Sequence, residues 1–394
     1  MSVALLLVAL LWLLLRARVA LAVSRIPPLQ LVQADAGGAP LPPVSIVSAA
    51  RDEERDVEEA TRSFLAQRVP SLQVIVVDDR STDATPAILA GIAQEDPRLL
   101  VVRIESKPDG WLGKCWALSQ GAARATGDFV LFTDGDVKLH PDCLARALAY
   151  CERASVDHLS LLPHMEADSY WHESLHAHFV HVFVAMLAGA RPNEEGSEAS
   201  VGVGAFGLVR RSAFDAVSGM EELKLQVGED VALARLLVRN GYRHRILAGD
   251  SWARLHWQQG VRGTIRGLEK NTFWGLRFSR VALVAITLLT VFELAPALGF
   301  LAGTATGVAA SVVWLLAVAL PYVALQRTRG FGLAAIPAHP VSAILLQVTA
   351  WSSAMATLRQ GGIRWRGDFF SMEELRAALK PLSWWRGRIR ERAP

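Results

Sequence analysis

Two apolar runs limit what this chain can fold into more than any other feature. "VALVAITLLTVFELAPALGFLAG" (281–303) and "ATGVAASVVWLLAVALPYVAL" (305–325) are each long enough to cross a bilayer. Hydrocarbon offers no partner for backbone N–H and C=O groups, so both runs are expected as helices. The N-terminus, "MSVALLLVALLWLLLRARVALAV", is apolar without a break up to Leu15 and then carries Arg16 and Arg18. A signal peptide places its charge before the apolar core; here the arginines follow it, which favours an uncleaved anchor over residues 1–23 with a cytoplasmic C-terminal flank. Composition agrees: 52% hydrophobic residues and a mean hydropathy of +0.27 are high for a soluble chain of ordinary charge.

A further run, 336–358, contains Pro337, His339 and Pro340 and is less apolar. A full third crossing would leave the nine Lys/Arg after position 358 outside, against the positive-inside rule, so this segment is expected to be broken and re-entrant or in-plane. "QRTRG" (326–330) reads as a cytoplasmic loop, and residues 359–394, ending in "WWRGRIRER", as a basic cytoplasmic tail. Glu293, inside the first C-terminal span, is expected either to meet a lipid acceptor or to pair within the bundle. A net charge of +3 with dispersed basic residues argues against a nucleic-acid partner. Cys115, Cys143 and Cys151 lack the spacing of a zinc knuckle or disulfide framework and read as free thiols.

Between a Pro/Gly-rich linker (24–43) and the C-terminal transmembrane region (276–358) the composition becomes that of an α/β domain, residues 44–275. "VSIVSAA", "LQVIVVDD", "LLVVRIE" and "DFVLFTDGD" are short strand-like runs, with helical spacing in "EERDVEEATRSFLAQ", "ATPAILAGIAQE" and "GKCWALSQGAARA" between them. Alternation of this kind implies a parallel sheet, with "VDD" and "TDGD" at the C-terminal strand ends where such sheets place their ligands.

Glu53, Asp78, Asp79, Asp134 and Asp136 therefore gather at one edge. Clustered carboxylates repel one another and resist desolvation unless a cation or a hydrogen-bonding ligand offsets them, so a divalent ion is expected. In Asp134-Gly135-Asp136 both side chains are expected on one face of an extended strand, with the glycine admitting a phosphate to the backbone. Oxygen donors of this kind suit Mg²⁺ or Mn²⁺. The plainer alternative for the pair is Asp-Gly turn chemistry.

Five blocks in order, "VSIVSAARDEE", "VIVVDDRSTDAT", "GWLGKCWALSQGAARATGDFVLFTDGDV", "VGVGAFGLVRRSAFDAVSG" and "GEDVALARLLVRNGYR", resemble family 2 glycosyltransferases of the GT-A fold. The resemblance implies an enzyme that takes a nucleotide-diphosphate sugar and inverts the anomeric carbon. It implies that Glu53 and Asp79 hold the nucleoside, that Lys114 lies near the nucleotide, and that Asp134 and Asp136 serve the metal and diphosphate. Asp230 would be the base that deprotonates the acceptor; by its own position before "VALARLLVRNG" it reads equally as a helix N-cap. The asparagine usual before Glu53 is Asp52 here. Many membrane-bound relatives carry Q-x-x-R-W; this chain keeps Gln259 and Arg262 but has glycine for the tryptophan, leaving Arg262 as a diphosphate contact with Arg266 and Lys270 as competitors, and solvated basic residues beside a membrane entry as the plainer alternative for all three. The segment "GGIRWRGDFF" resembles the endings of lipid-glycosylating relatives.

"HESLH" (172–176) matches the H-E-x-x-H pattern of zinc proteases. Its surroundings, "ADSYWHESLHAHFVHVFVAMLAG", fit an interfacial helix better, with the histidines, His178 and His181 included, as interfacial or packing residues. Glu194 and Glu195 are the candidate third ligands, separated from the helix by "RPN". The sequence is thus read as a multi-pass inner-membrane glycosyltransferase with a cytoplasmic catalytic domain, a UDP-linked donor and a lipid or lipid-linked acceptor. The alternatives are a processive polysaccharide synthase, a zinc metalloprotease, and a catalytically dead glycan- or lipid-binding scaffold.

Overall fold

The computed structural model describes residues 2–34, 38, 40–187, 193–329 and 333–380, and it divides into two units. The basic run 384–392, Gly330 of "QRTRG" and the "RP" of "RPN" lie outside the described residues.

The α/β unit comprises Pro27–His164, Pro192–His256 and Lys380–Pro394. Its strands are β1 (Val44–Ala50), β2 (Leu72–Asp79), β3 (Leu99–Ile104), β4 (Phe129–Asp134), β5 (Val137–Leu139), β6 (His158–Met165), β7 (Gly207–Arg210) and β8 (His244–Leu255). They form one sheet in the order β3-β2-β1-β4-β7-β6-β8-β5. The first four pair in parallel, joined by the helices Val57–Leu65, Thr85–Glu95 and Gly113–Ala122 that parallel connections require. Central β1 and β4 are buried almost throughout, as strands covered on both faces must be, with the small polar residues Ser45, Ser48 and Thr133 buried among their apolar ones, whereas the edge strand β3 is partly exposed. β7 runs antiparallel to β4 and β6, and β5 antiparallel to β8. Register sets Ala50 beside Asp78 and Ala49 beside Asp134, so the ends of β1, β2 and β4 open on one edge.

The helical unit comprises Met1–Ile26, Met165–Arg191 and Trp257–Leu379. Among the described residues four helices are long and apolar enough to cross a membrane: Ser2–Ser24, Arg280–Leu301, Ala305–Gln326 and His339–Gln360. The Ser2 and Thr304 hydroxyls lie 3.0 Å apart, so the N-terminus and the turn between the second and third helices share one end. Two sequence expectations are corrected here. Arg16 is no flank: the first helix continues to Ser24, and Arg16 is buried in the bundle, ion-paired with Glu293. Its Nη1 also meets His181 Nε2 at 2.9 Å and its Nη2 meets His339 Nε2 at 3.3 Å, while His339 bonds Glu293 at 2.7 Å. Glu293 is therefore paired within the bundle. The second correction concerns the last helix, which is continuous; Pro340 sits in its first turn, where the missing N–H costs nothing.

That helix begins beside Arg16, about 20 Å along the first helix from its Ser2 end at 1.5 Å per residue. It then runs back along the second: Gln347 donates to Thr290 (2.7 Å), Trp351 to Thr287 (3.0 Å), and Ser353 accepts from the Phe273 amide (3.0 Å). Beyond it, residues 359–380 are not a bare tail. β9 (Gly362–Trp365) and β10 (Asp368–Ser371) form a hairpin whose two turn residues, Arg366 (φ 49°) and Gly367 (φ 86°), have the positive φ that tight hairpins need, and the helix Met372–Ala378 follows, capped by Ser371.

Candidate active site

The acidic edge of the α/β unit is built from loop ends. After β1 the chain turns through Asp52 in the left-handed region (φ 54°), a conformation that Asp and Asn tolerate best among side-chain-bearing residues. Asp52 accepts from the Thr82 amide at 2.8 Å and donates its own amide to Ser81 at 3.0 Å, while the Glu53 amide donates to Thr85 at 2.9 Å. These bonds tie the β1 and β2 ends together. Asp78, still within β2, is buried and accepts from the Ser81 amide at 3.1 Å, which ties the turn after the strand back to it. Asp79, also buried, accepts from Arg80 at 2.7 Å with Arg51 3.9 Å away, and Gly113 fits closely against it: a Cβ there would stand 2.6 Å from Asp79 Oδ2.

Asp134-Gly135-Asp136 departs from the expected extended strand. β4 ends at Asp134, and Gly135 and Asp136 form the turn into β5. Gly135 is buried against Ala49 and Ala50, so on that side its small size serves β1 rather than a phosphate. Burial first, and then the negative charges of Asp134 and Glu53, push the half-buried Asp136 carboxyl up to about 8. Lys114 offsets this repulsion only in part, and the all-oxygen donor set is the kind that Mg²⁺ or Mn²⁺ takes. The residues present therefore fit a divalent ion.

At the centre Lys114 bridges two carboxylates, Asp134 at 2.5 Å and Glu229 at 2.6 Å. Burial alone would lower its pKa, but Asp134, Glu229 and Asp230 outweigh that and hold the ammonium well above the ordinary lysine range. Burial, with repulsion from Asp230 and Asp134, raises Glu229 despite the attraction of Lys114. Asp230 is the second residue of the helix Glu229–Arg239, whose N-cap is Gly228 with no side-chain cap bond. The N-cap alternative for Asp230 thus lapses. A Cβ on Gly204 would lie 3.0 Å from Asp134 Oδ2 and 3.4 Å from both Asp230 Oδ2 and Lys114 Nζ, so the Gly204 backbone is seated among all three. The sequence reading missed Glu229, although its place next to Asp230 was the available signal, and it missed Gly204.

The structure thus gathers Lys114, Asp134 and Asp230, with Glu53 and Asp136 on the Asp134 side, and sets Asp79 at the end of β2. Arg262 belongs to the helical unit, exposed with Arg266 on the helix Gly260–Gly275; Lys270 of that helix stacks 3.8 Å from the Trp365 ring. In "HESLH" both histidines are buried and turn Nε2 toward one hydroxyl, Thr264 Oγ1, at 3.0 Å from His172 and 3.4 Å from His176. That hydroxyl takes the place a shared metal would need. Glu195 lies near Arg243 and Arg245 of its own unit. His178 and His181 are buried as well, which makes them packing rather than interfacial residues.

The fold is that of the GT-A glycosyltransferases. A mannosyltransferase from Pyrobaculum calidifontis, solved in complex with GDP-Man and Mn²⁺, superposes with a TM-score of 0.51 at 19% identity, covering 91% of this chain and 98% of that one. Residues 45–218 match the family model for glycosyl transferase family 2, and the chain carries a domain of that family. A beta-monoglucosyldiacylglycerol synthase of Synechocystis is 32% identical over 200 residues, half of this chain and 40% of that protein. The succinoglycan biosynthesis protein ExoO of Rhizobium meliloti is 32% identical over 126 residues, 31% of this chain and 34% of that protein. The chain thus spans less than half the length of these two relatives.

Proposed function

We propose that this chain is an inverting glycosyltransferase that moves a sugar from a nucleoside-diphosphate donor, a UDP-sugar, to a lipid or lipid-linked acceptor at the cytoplasmic face of the inner membrane. The observation that carries the reading is the arrangement around Gly204, where the carboxylates of Asp134 and Asp230 flank one backbone with Lys114 between them. Glu53 and Asp79 bind the nucleoside. Asp134 and Asp136 would hold Mg²⁺ or Mn²⁺, which when bound offsets charge on the departing diphosphate. Lys114 adds fixed positive charge on the same side of the site. Asp230 accepts the acceptor hydroxyl's proton as that oxygen attacks the anomeric carbon, the carbon–oxygen bond to the diphosphate breaks, and the nucleoside diphosphate leaves from the opposite face. Arg262 is a candidate contact to that diphosphate.

The lipid acceptor is supported by the four apolar helices and by the relative named for diacylglycerol glucosylation. The proposed topology is supported by the pairing of Ser2 with Thr304 at one end, taken as the outer end, and by a last helix that starts at the Arg16 level and runs away from that end. On this reading the last helix, although long enough to span, starts inside the bundle, stops short of a full crossing and keeps the basic tail inside. The test is incubation of the detergent-purified protein with a panel of nucleotide sugars, with and without extracted lipids, following nucleoside diphosphate release. Release that depends on both one sugar nucleotide and lipid is expected. Background-level release with every combination would overturn the proposal.

A further inference from the structure

Two buried histidines lie behind the site and take no part in the chemistry above. His158 opens β6 and His244 opens β8, neighbours in the sheet; their rings stack with centroids 4.9 Å apart and their Nδ1 atoms are 2.9 Å apart. Two nitrogens at that separation share one proton, so one ring donates and the other accepts. The outer nitrogen of His244 decides which. Its Nε2 lies 3.1 Å from the Val201 amide, which can only donate, so that nitrogen carries no proton. A neutral His244 then holds its proton on Nδ1 and gives it to His158 Nδ1, which leaves the His158 proton on Nε2. A second proton on His244 would set N–H against N–H at Val201. Burial keeps both rings neutral, His158 down at about 3 and His244 well below the ordinary value, the latter helped by His158 and Arg245.

What this chain of bonds holds is the run Val201-Gly202-Val203-Gly204. A Cβ on Gly202 would fall 1.9 Å from the Asp230 carbonyl oxygen, so the run lies directly against the backbone of the proposed base. Two residues on, Gly204 is the residue seated among Asp134, Asp230 and Lys114. Beyond it Thr133 donates to the Ala205 carbonyl at 2.8 Å, which pins the far end to β4. The run is therefore pegged at both ends and wedged between the two halves of the site. His158 itself lines the small cavity next to Lys114, Glu229 and Asp230.

We propose that His244, oriented by His158, is a positioning residue for sugar transfer: through the Val201 amide it fixes the run 201–204, which in turn sets the separation of Asp230 from Asp134 and Lys114. The inference rests on the glycosyltransferase reading and adds residues that touch neither substrate.

Three variants separate the roles of the ring nitrogens. His244→Gln keeps an acceptor for the Val201 amide, His244→Asn keeps a group facing His158 but loses that acceptor, and His244→Phe loses both. With the sugar nucleotide found active for the wild type, kcat is expected to fall on the order of tenfold in the Asn and Phe variants, while KM for the donor stays within about threefold and the Gln variant stays within about twofold of wild type, since misplaced but intact groups lower turnover more than binding. Unchanged kcat in the Asn and Phe variants, or a Gln variant as slow as Phe, overturns the proposal. Magic-angle-spinning NMR of wild-type protein labelled with ¹⁵N-histidine gives a readout that needs neither activity nor a stable variant. Opposite tautomers, Nδ1–H on His244 and Nε2–H on His158, are expected; the same tautomer in both rings overturns the proposal. Wild type without any transfer but with these tautomers would instead count against the glycosyltransferase reading.

Discussion

Arg16 and Glu293 offer the most direct test of how the helical unit is held together. The Arg16 guanidinium is buried and pairs with Glu293 while also meeting His181 and His339. Arg16→Leu removes that charge and leaves the Glu293 carboxylate with His339, 2.7 Å away, as its remaining partner in this cluster. Breaking a buried pair by removing one partner costs about 3–5 kcal/mol, and because His339 still donates, about 3 kcal/mol is expected. Glu293→Leu strands Arg16 and should cost a similar amount. The double variant strands neither charge and should cost less than either single change, because buried pairs replaced by apolar residues of similar volume are often neutral. Reversible unfolding in mixed micelles, followed by tryptophan fluorescence, measures all four proteins. Additive losses, about 6 kcal/mol in the double variant, or a neutral Arg16→Leu, would refute the argument.

Asp230→Asn keeps shape, and Gly228 rather than Asp230 caps the helix, so donor binding should survive while turnover falls on the order of a hundredfold or more; near-normal turnover removes the base role. Chelation should abolish transfer and Mg²⁺ or Mn²⁺ restore it, whereas full activity in excess chelator removes the metal from Asp134 and Asp136. Single cysteines at Ser2, Thr304 and Ser383 on a cysteine-free background should label from outside at the first two positions and not at the third, and labelling at Ser383 would establish a full crossing by the last helix. His158 and His244 are held neutral in the folded protein, but the unfolded chain takes up protons below about pH 6.5, so acid should destabilise the fold by up to about 1.4 kcal/mol per pH unit for each ring, stability being lost as pH falls from about 6.5 toward 3. Thermal unfolding of wild type against His158→Phe between pH 7 and pH 5 checks this, and parallel pH dependences would contradict it.

The strands Val44–Ala50 and Leu72–Asp79 coincide with the strand-like runs "VSIVSAA" and "LQVIVVDD", and the order of strands and helices up to Asp134 was sufficient to place the acidic residues at one edge. Those features are local: a β-branched run between charged helical spacing has few ways to bury itself, and parallel connections bring the strand ends together. The apolar helices were legible for a similar reason, since lipid leaves the backbone no other partner than itself. What the sequence left open were choices between partners. Lys114 had several carboxylates within its possible reach and took Asp134 and Glu229. Asp-Gly-Asp became a turn because β4 stops at Asp134 and the next three strand residues leave to pair with β8. Arg16 looked like a flanking charge until the fold brought Glu293, 277 residues away, against it, and the two histidines meet across a separation of 86. A buried charge or ring nitrogen is tolerated only where a partner of the right sign or protonation reaches it, and chain separation does not record which of many possible partners the packed structure brings within reach.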